Sequence, residues 1–312
     1  MTDEKILCAT DLSDEGSRTV DLAVVTAKAF DVGLELLHVI DDADTWWPET
    51  PDVESAIQKA EEQRVLYETR MRQKLQAEQD RCAASGVECE GLIVRGRPWR
   101  MIPEIASQRN ALLTVIGAHG PDGERSVTKE RVTERVLGAT ADKVVQVSDR
   151  PVFVATGTNP IPSTLIGVDW LLGTDFSGSC QTALLWAKEA TEKTGGRLHV
   201  VNVVLPAGRD DRPDEERTWR QILRSESKLE AERRLESWVA EHAPQASSRQ
   251  LMSYDRTSDA LCTAADEVGA DVVVLGTSVR SVLGRVLIGS TAHEVLRRCS
   301  VPVLLVPLDQ QL

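Results

Sequence analysis

The sequence predicts an α/β protein built as two tandem open-sheet domains, and three observations predict it. The first is an internal repeat. Residues 6–40 (ILCATDLSDEGSRTVDLAVVTAKAFDVGLELLHVI) realign on residues 170–204 (WLLGTDFSGSCQTALLWAKEATEKTGGRLHVVNVV). Asp11 falls on Asp175, Ser13 on Ser177 and Val39 on Val203, at an offset of 164. Further on, LLTVIGAHG realigns on VVVLGTSV, with Gly117 over Gly276 at an offset of 159. Finally LGATADKVVQVSDRPVFVA realigns on IGSTAHEVLRRCSVPVLLV, with Gly138 over Gly289 and Pro151 over Pro302 at an offset of 151. Three blocks in one order, with small length changes between them, are the mark of duplication. The second observation is length: 312 residues is twice the ordinary size of a domain. The third is the alternation of short apolar runs with amphipathic stretches, which implies a parallel sheet covered by helices.

The elements follow in order. In the first half the runs ILCAT, LELLHVI, EGLIV, LLTVIG and VFVAT are rich in Val, Ile and Leu and read as buried parallel strands. The second half repeats them as WLLGT, LHVVNVV, RQLMSY, DVVVLG and VPVLLVP. Between them lie helical stretches such as SRTVDLAVVTAKAF and SDALCTAADEVG. Residues 52–85 and 212–241 are long, highly charged and nearly free of Gly and Pro, so each is expected as a helix with a solvated outer face. The join is expected near GTNPIPSTLIGVD, whose Gly, Asn and Pro residues form loops, giving domains 1–158 and 159–312. Each is a Rossmann-like unit, a five-stranded parallel sheet with helices on both faces.

Composition excludes several classes of function. Against 36 Lys and Arg stand 49 Asp and Glu, a net charge of -13, and this field repels phosphate backbones and anionic membranes. Nucleic acid is not an expected partner, and neither is a membrane, since no apolar run approaches the ~20 residues of a span. The acidic start MTDEKILCATDLSDEG lacks the pattern of a signal peptide, so a cytoplasmic location is expected. The six cysteines form no CxxC pair and have no His at ligand spacing, so they read as buried reduced thiols.

In open α/β sheets, ligands bind beyond the carboxyl ends of the strands, where strand order reverses. Asp11 and Asp175 follow the first strand of each half, Gly117 and Gly276 end the fourth, and Gly138 and Gly289 open the last helix. A glycine after a strand lets the backbone approach a ligand, and Gly289-Ser290-Thr291 presents free N–H groups and hydroxyls to an anion. Ser290 or Thr291 serves equally as a plain helix cap. An Asp at a strand tip either accepts hydrogen bonds from ribose hydroxyls and helps hold a metal, or caps the helix beginning near Ser13.

The Asp after strand one, the G-x2-G-x9-G-[ST] spacing and the final PVLLV strand resemble the universal stress protein family in its tandem form, over nearly the whole chain. The resemblance implies that the glycine loop binds ATP phosphates, with or without Mg2+. It also implies that the strand-one Asp and the end of strand two, at Val39 and Val203, hold the nucleoside, and that the final strand pairs two units, as in a homodimer. Some members lack the loop and bind no nucleotide.

Both halves depart from the motif. In the second the spacing is intact, but Val279 replaces the second glycine, and its β-branched side chain tolerates positive φ poorly. In the first, Gly117 and Gly120 both stand, but seventeen residues separate Gly120 from Gly138, and Ala139 follows. The charged insert PDGERSVTKERVTERV, with Val127, Val132 and Val136 at near-helical spacing, is expected as helix. An adenine nucleotide is therefore expected in at most one half, the second, on Asp175, Val203, Gly276, Gly289, Ser290 and Thr291. Asp11, Val39, Gly117, Gly120 and Gly138 rank behind them. The alternative is a scaffold that binds another small ligand or a protein partner. An ATPase or nucleotidyl transferase ranks last, because no Walker-type Lys, paired catalytic carboxylates or nucleophile with a His partner stands out. His38, His119, His199 and His293 read as ordinary strand, loop and helix residues, while Trp46, Trp47 and Trp99 are placed on loops near the crevice.

Overall fold

A computed structural model of the chain describes residues 4–13, 16–41, 53–119, 137–156, 159–204, 229–252, 256–277 and 289–308. These fall into two compact units, with the division between Ala155 and Thr156.

The first unit runs β1 (Lys5–Ala9), α1 (Gly16–Phe30), β2 (Gly33–Ile40), α2 (Val53–Ala84), β3 (Cys89–Arg95), α3 (Pro98–Gln108), β4 (Thr114–Gly117), α4 (Ala139–Val147) and β5 (Val152–Ala155). Its strands pair in parallel in the order β3-β2-β1-β4-β5. The second unit runs β6 (Asp169–Thr174), α5 (Gly178–Thr194), β7 (Arg197–Val204), α6 (229–242), β8 (Ser247–Met252), α7 (Thr257–Val268), β9 (Val272–Thr277), α8 (Ser290–Arg298) and β10 (Val303–Pro307). Here the order is β10-β9-β6-β7-β8, again all parallel. In both units the order reverses beside the first strand, where β1 lies between β2 and β4, and β6 between β7 and β9.

All ten sequence-predicted strands are present, and helix covers 53–84 of the predicted 52–85. Of the second charged stretch, 229–242 is helix. Its residues 212–228, together with Trp46, Trp47, Gly120, Val279 and the charged insert 121–136, lie outside the described residues.

The strands are central because their side chains are apolar on both faces. β5 (VFVA) and β10 (VLLVP) are buried at every position, as parallel strands covered on both sides must be. Helix α1 packs on β1, β2, β4 and β5, and α2 packs on β2 and β3, while α3 packs on α4 and β2. Right-handed crossovers place α1 and α2 on one face and α3 and α4 on the other. In the second unit α5 packs on β6, β7, β9 and β10, and α7 packs on α8 and β7. Trp170 on β6 and Trp186 on α5 are fully buried there, which accounts for two of the seven tryptophans.

The backbone repeats more faithfully than the sequence does. Leu12 and Phe176, Asp31 and Gly195, and Asn110 and Gly269 all take left-handed φ, between 50° and 68°. Each pair is separated by the offset of its own repeat block, 164, 164 and 159. The last two pairs end helices, where a left-handed residue closes the final turn. Glycine does this without strain, and Asp and Asn are the side chains that tolerate it best.

Candidate functional site

The loop after the first strand has the sequence Thr-Asp-x-Ser in both halves and closes on itself in the same way. In the first half, Thr10 Oγ1 accepts from the Leu12 N–H (3.1 Å), and Asp11 Oδ1 accepts from the Ser13 N–H (2.9 Å). In the second, Thr174 Oγ1 accepts from Phe176 (3.0 Å), and Asp175 Oδ1 accepts from Ser177 (2.9 Å). These two bonds hold the bulky residue between them in its left-handed conformation, which otherwise costs about 1–2 kcal/mol. The halves then diverge. Asp11 Oδ1 also takes the Ser13 hydroxyl at 2.6 Å, whose Oγ accepts from the Gly16 N–H at 3.0 Å. At the position of Gly16 the second half carries Cys180, whose thiol donates to Asp175 Oδ1 across 3.1 Å.

Asp175 is exposed and its Oδ1 is saturated by this turn. Burial of the carboxyl pushes its pKa up, but the Ser177 and Cys180 hydrogen bonds outweigh it and hold it below its ordinary value. The cysteine moves the opposite way, because burial raises the Cys180 thiol. At neutral pH the pair is a carboxylate and a neutral thiol.

The second strand is tied to the same loop. His38 Nδ1 lies 3.0 Å from the Thr10 carbonyl oxygen, and in the second half the Asn202 amide donates to the Thr174 carbonyl at 2.6 Å. A carbonyl only accepts, so His38 carries its proton on Nδ1. Burial keeps its pKa low, and the ring is neutral. The next residues along, Val39 and Val203, are half-buried at the strand ends, beside the Asp loops.

The strand-four glycines have a structural reason of their own. A Cβ at Gly276 would stand 2.3 Å from the Ser179 carbonyl oxygen and 2.8 Å from the Cys180 nitrogen, so the first turn of α5 packs directly on this backbone. At Gly117 a Cβ would meet Thr19 Oγ1 at 2.9 Å and the His119 carbonyl at 3.2 Å. Neither glycine takes positive φ. Asp175, Cys180 and Gly276 thus form one contiguous patch at the carboxyl end of β6 and β9.

The last helices begin at that same end of their sheets, because each follows its fourth strand and runs back antiparallel to it. Gly289 caps α8 with φ -59° and ψ 144°, and among the described residues no side chain caps the helix and a Cβ there would meet nothing within 4 Å. Gly289 and Ser290 are exposed, Thr291 is half-buried, and the first turn carries no acidic residue. Gly138 caps α4 with nearly the same backbone, but Asp142 stands in the first turn, and the Gly138 N–H is spent on the Ala118 carbonyl at 2.8 Å. Among the described residues, no carboxylate stands in the first turn of α8 to offset the positive partial charge of its amino end, whereas Asp142 stands in that of α4.

Three features escape the sequence pattern. Arg234 lies over the Phe176 ring (4.4 Å), Phe176 meets Trp238 edge-on (5.9 Å), and Trp238 stacks on His242 (5.1 Å), so α6 lays an aromatic and cationic strip against the Asp175 loop. The i, i+4 spacing of Arg234, Trp238 and His242 was the available signal. Trp99 belongs to the first turn of α3 rather than to a loop, with Lys143 Nζ 5.3 Å from its ring centre. At the opposite, amino end of the second sheet, Ser247 Oγ lies 2.7 Å from His199 Nδ1, and His199 Nε2 lies 3.7 Å from Asp169, which Arg197 also grips. These residues come from the starts of β6, β7 and β8 and stitch the strand ends together, far along the strands from the crevice. Among the described residues, no group of three or more His, Cys, Asp and Glu is placed to hold a metal, and no helix is long and apolar enough to cross a membrane.

A twice-repeated α/β unit with a strand-tip Asp and a glycine-capped last helix defines a class of tandem Rossmann-like proteins. The chain belongs to the universal stress protein family, whose family model matches residues 4–156 and 170–307. It is similar to a universal stress protein of Mycolicibacterium smegmatis, 24% identical over 307 residues, which covers 98% of this chain and 97% of the relative. Half of it is similar to the universal stress protein YxiE of Bacillus subtilis, 28% identical over 156 residues, covering 48% of this chain and 97% of the relative. Among solved structures, a universal stress protein from Archaeoglobus fulgidus matches with a TM-score of 0.64 at 20% identity, covering 99% of this chain and 100% of that one.

Proposed function

We propose that this member of the stress protein family binds an adenine nucleotide, as ATP, in its second half and acts by a change of conformation or association rather than by chemistry. The observation that carries the reading is the amino end of α8. Among the described residues, Gly289 is open, uncapped and free of carboxylates in the turn that follows. Residues Gly289, Ser290 and Thr291 would hold the phosphates, with Gly276 beside them. The free oxygen of Asp175 and the backbone around Val203 would hold the nucleoside, and any Mg2+ would arrive with the phosphates. The reading takes residues 1–158 and 159–312 as two domains, and places the protein in the cytoplasm, with self-association through the final strands as the expected assembly. In the first half, Asp142 in the first turn of α4 and the bonded Gly138 N–H argue against a phosphate.

A scaffold without nucleotide is the second reading. It is favoured by Gly276, whose small size is already demanded by the packing of α5. The test is to denature the protein as purified, analyse the released small molecules by mass spectrometry, and titrate the emptied protein with MgATP by calorimetry. Released or titratable ATP supports the first reading. Neither, at millimolar nucleotide, leaves the scaffold.

A further inference from the structure

The cysteines are less scattered in space than in sequence. Cys82 lies in the last turn of α2 and Cys89 opens β3, across a turn in which Val87 N–H bonds the Cys82 carbonyl (3.2 Å) and Gln79 reaches the Cys89 carbonyl (3.5 Å). In the second half, Cys262 sits on α7 and Cys299 ends α8. Their neighbours on either side already bond across the same seam, Arg298 to Asp259 at 2.8 Å and Ser300 to Asp266 at 2.6 Å. Cys262 lies between the two aspartates in sequence, one helical turn from each, as Cys299 lies between Arg298 and Ser300. In both pairs the two thiols lie close enough for one to shift the ionisation of the other. In both, one thiol is buried, Cys82 or Cys299, and the other, Cys89 or Cys262, is half-exposed.

We infer that each half carries a dithiol that hydroperoxides convert to an intrachain disulfide, Cys82–Cys89 in the first half and Cys262–Cys299 in the second. The half-exposed thiol attacks the peroxide, the O–O bond breaks, and sulfur is oxidised to sulfenic acid while one oxygen leaves as water or alcohol. The buried partner then attacks the sulfenic sulfur. The S–O bond breaks, the S–S bond forms, and the departing oxygen leaves as water with the partner's proton. Two thiols are oxidised by two electrons, and one peroxide is reduced. The thiolate is the attacking species. Cys8 and Cys180, both buried and outside these pairs, stay reduced. Closure in the second half joins α7 to the helix that begins at Gly289.

The full chain is treated with hydrogen peroxide for increasing times, blocked with N-ethylmaleimide, digested without reductant and analysed by mass spectrometry. The expected result is a Cys82–Cys89 bridge and a Cys262–Cys299 bridge, each with loss of two hydrogens and each reversed by dithiothreitol. Cys89→Ser is expected to abolish the first bridge alone and Cys262→Ser the second alone. Both positions are half-exposed, and circular dichroism of each variant shows that it is folded. Sulfinic acid at Cys89 or Cys262 without a bridge, bridges between chains, other pairings, or no oxidation while free cysteine in the same tube is consumed would overturn the inference. Closure of one pair alone overturns it for the other half.

Discussion

Cys180 donates its thiol to Asp175 Oδ1 across 3.1 Å, from the repeat position that Gly16 occupies in the first half. A Cβ at Gly16 would stand 2.5 Å from Asp11 Oδ1, so the first loop has closed down over its helix start while the second is propped open by a side chain. In the second half this leaves one carboxylate oxygen committed to the turn, and the other is the one that a nucleoside would use.

Asp175→Asn separates those two roles. An amide oxygen still accepts from Ser177 and Cys180, so the turn survives, but the charge and the second acceptor are lost. A hydrogen bond to a charged group contributes about 1.5–3 kcal/mol, so MgATP affinity is expected to fall about tenfold or more with little change in the urea midpoint. Unchanged affinity beside an unchanged midpoint would assign Asp175 to the turn alone.

Gly276 and Gly289 look alike in sequence and are expected to respond unequally to alanine. At Gly276 the added methyl would meet backbone of α5 at 2.3 Å, and overpacking of this kind costs about 1–3 kcal/mol. At Gly289 it would meet nothing within 4 Å among the described residues, so the loss is expected to be no more than that of the poorer N-cap alanine makes, about 0.5 kcal/mol. Equilibrium denaturation of the two variants decides it, and equal losses would show that Gly289 also serves packing.

The Arg197 hydrogen bond leads in holding Asp169 below its ordinary pKa, against its burial, with the Arg197 and His199 charges adding to it. A carboxyl depressed in the fold contributes stability above its unfolded value of about 3.9, and that contribution is lost as pH falls through the folded value. Arg197 is largely exposed, so solvent weakens the pair. Asp169→Asn is expected to lower the urea midpoint at neutral pH and to flatten its decline as pH falls below about 4. A wild-type acid limb retained in the variant would mean that Asp169 does not contribute to it.

The alternation of apolar runs placed all ten strands, because a buried parallel strand needs unbroken Val, Ile and Leu and little else. The left-handed positions were not legible. Leu12 and Phe176 are side chains that avoid this conformation, and only the Thr and Asp hydrogen bonds on either side explain why they accept it. The crevice was half legible. A strand-end glycine serves a ligand or a neighbouring helix equally well as text, and only the 2.3 Å approach of Ser179 assigns Gly276 to the helix. Cys180 aligned on Gly16 from the start, but what the exchange meant depended on where Asp175 points.

Gly289→Asp and Gly138→Asp test the choice between halves. A carboxylate at either cap sits on the axis of a helix whose amino end carries about half a positive charge, and at Gly289 it would occupy the approach of a phosphate. Neither change threatens the fold. Both glycines are N-caps with extended backbone, and Asp is among the residues preferred at that position, so each variant is expected to fold at least as stably as the parent. Loss of binding then reports the site. MgATP titration is expected to show binding abolished, at least a hundredfold weaker, in Gly289→Asp and unchanged in Gly138→Asp, where Asp142 already stands in the first turn of α4. The reverse result would move the nucleotide to the first half. Equal weakening by both would place a phosphate at each helix, and the contrast between α4 and α8 would carry no weight.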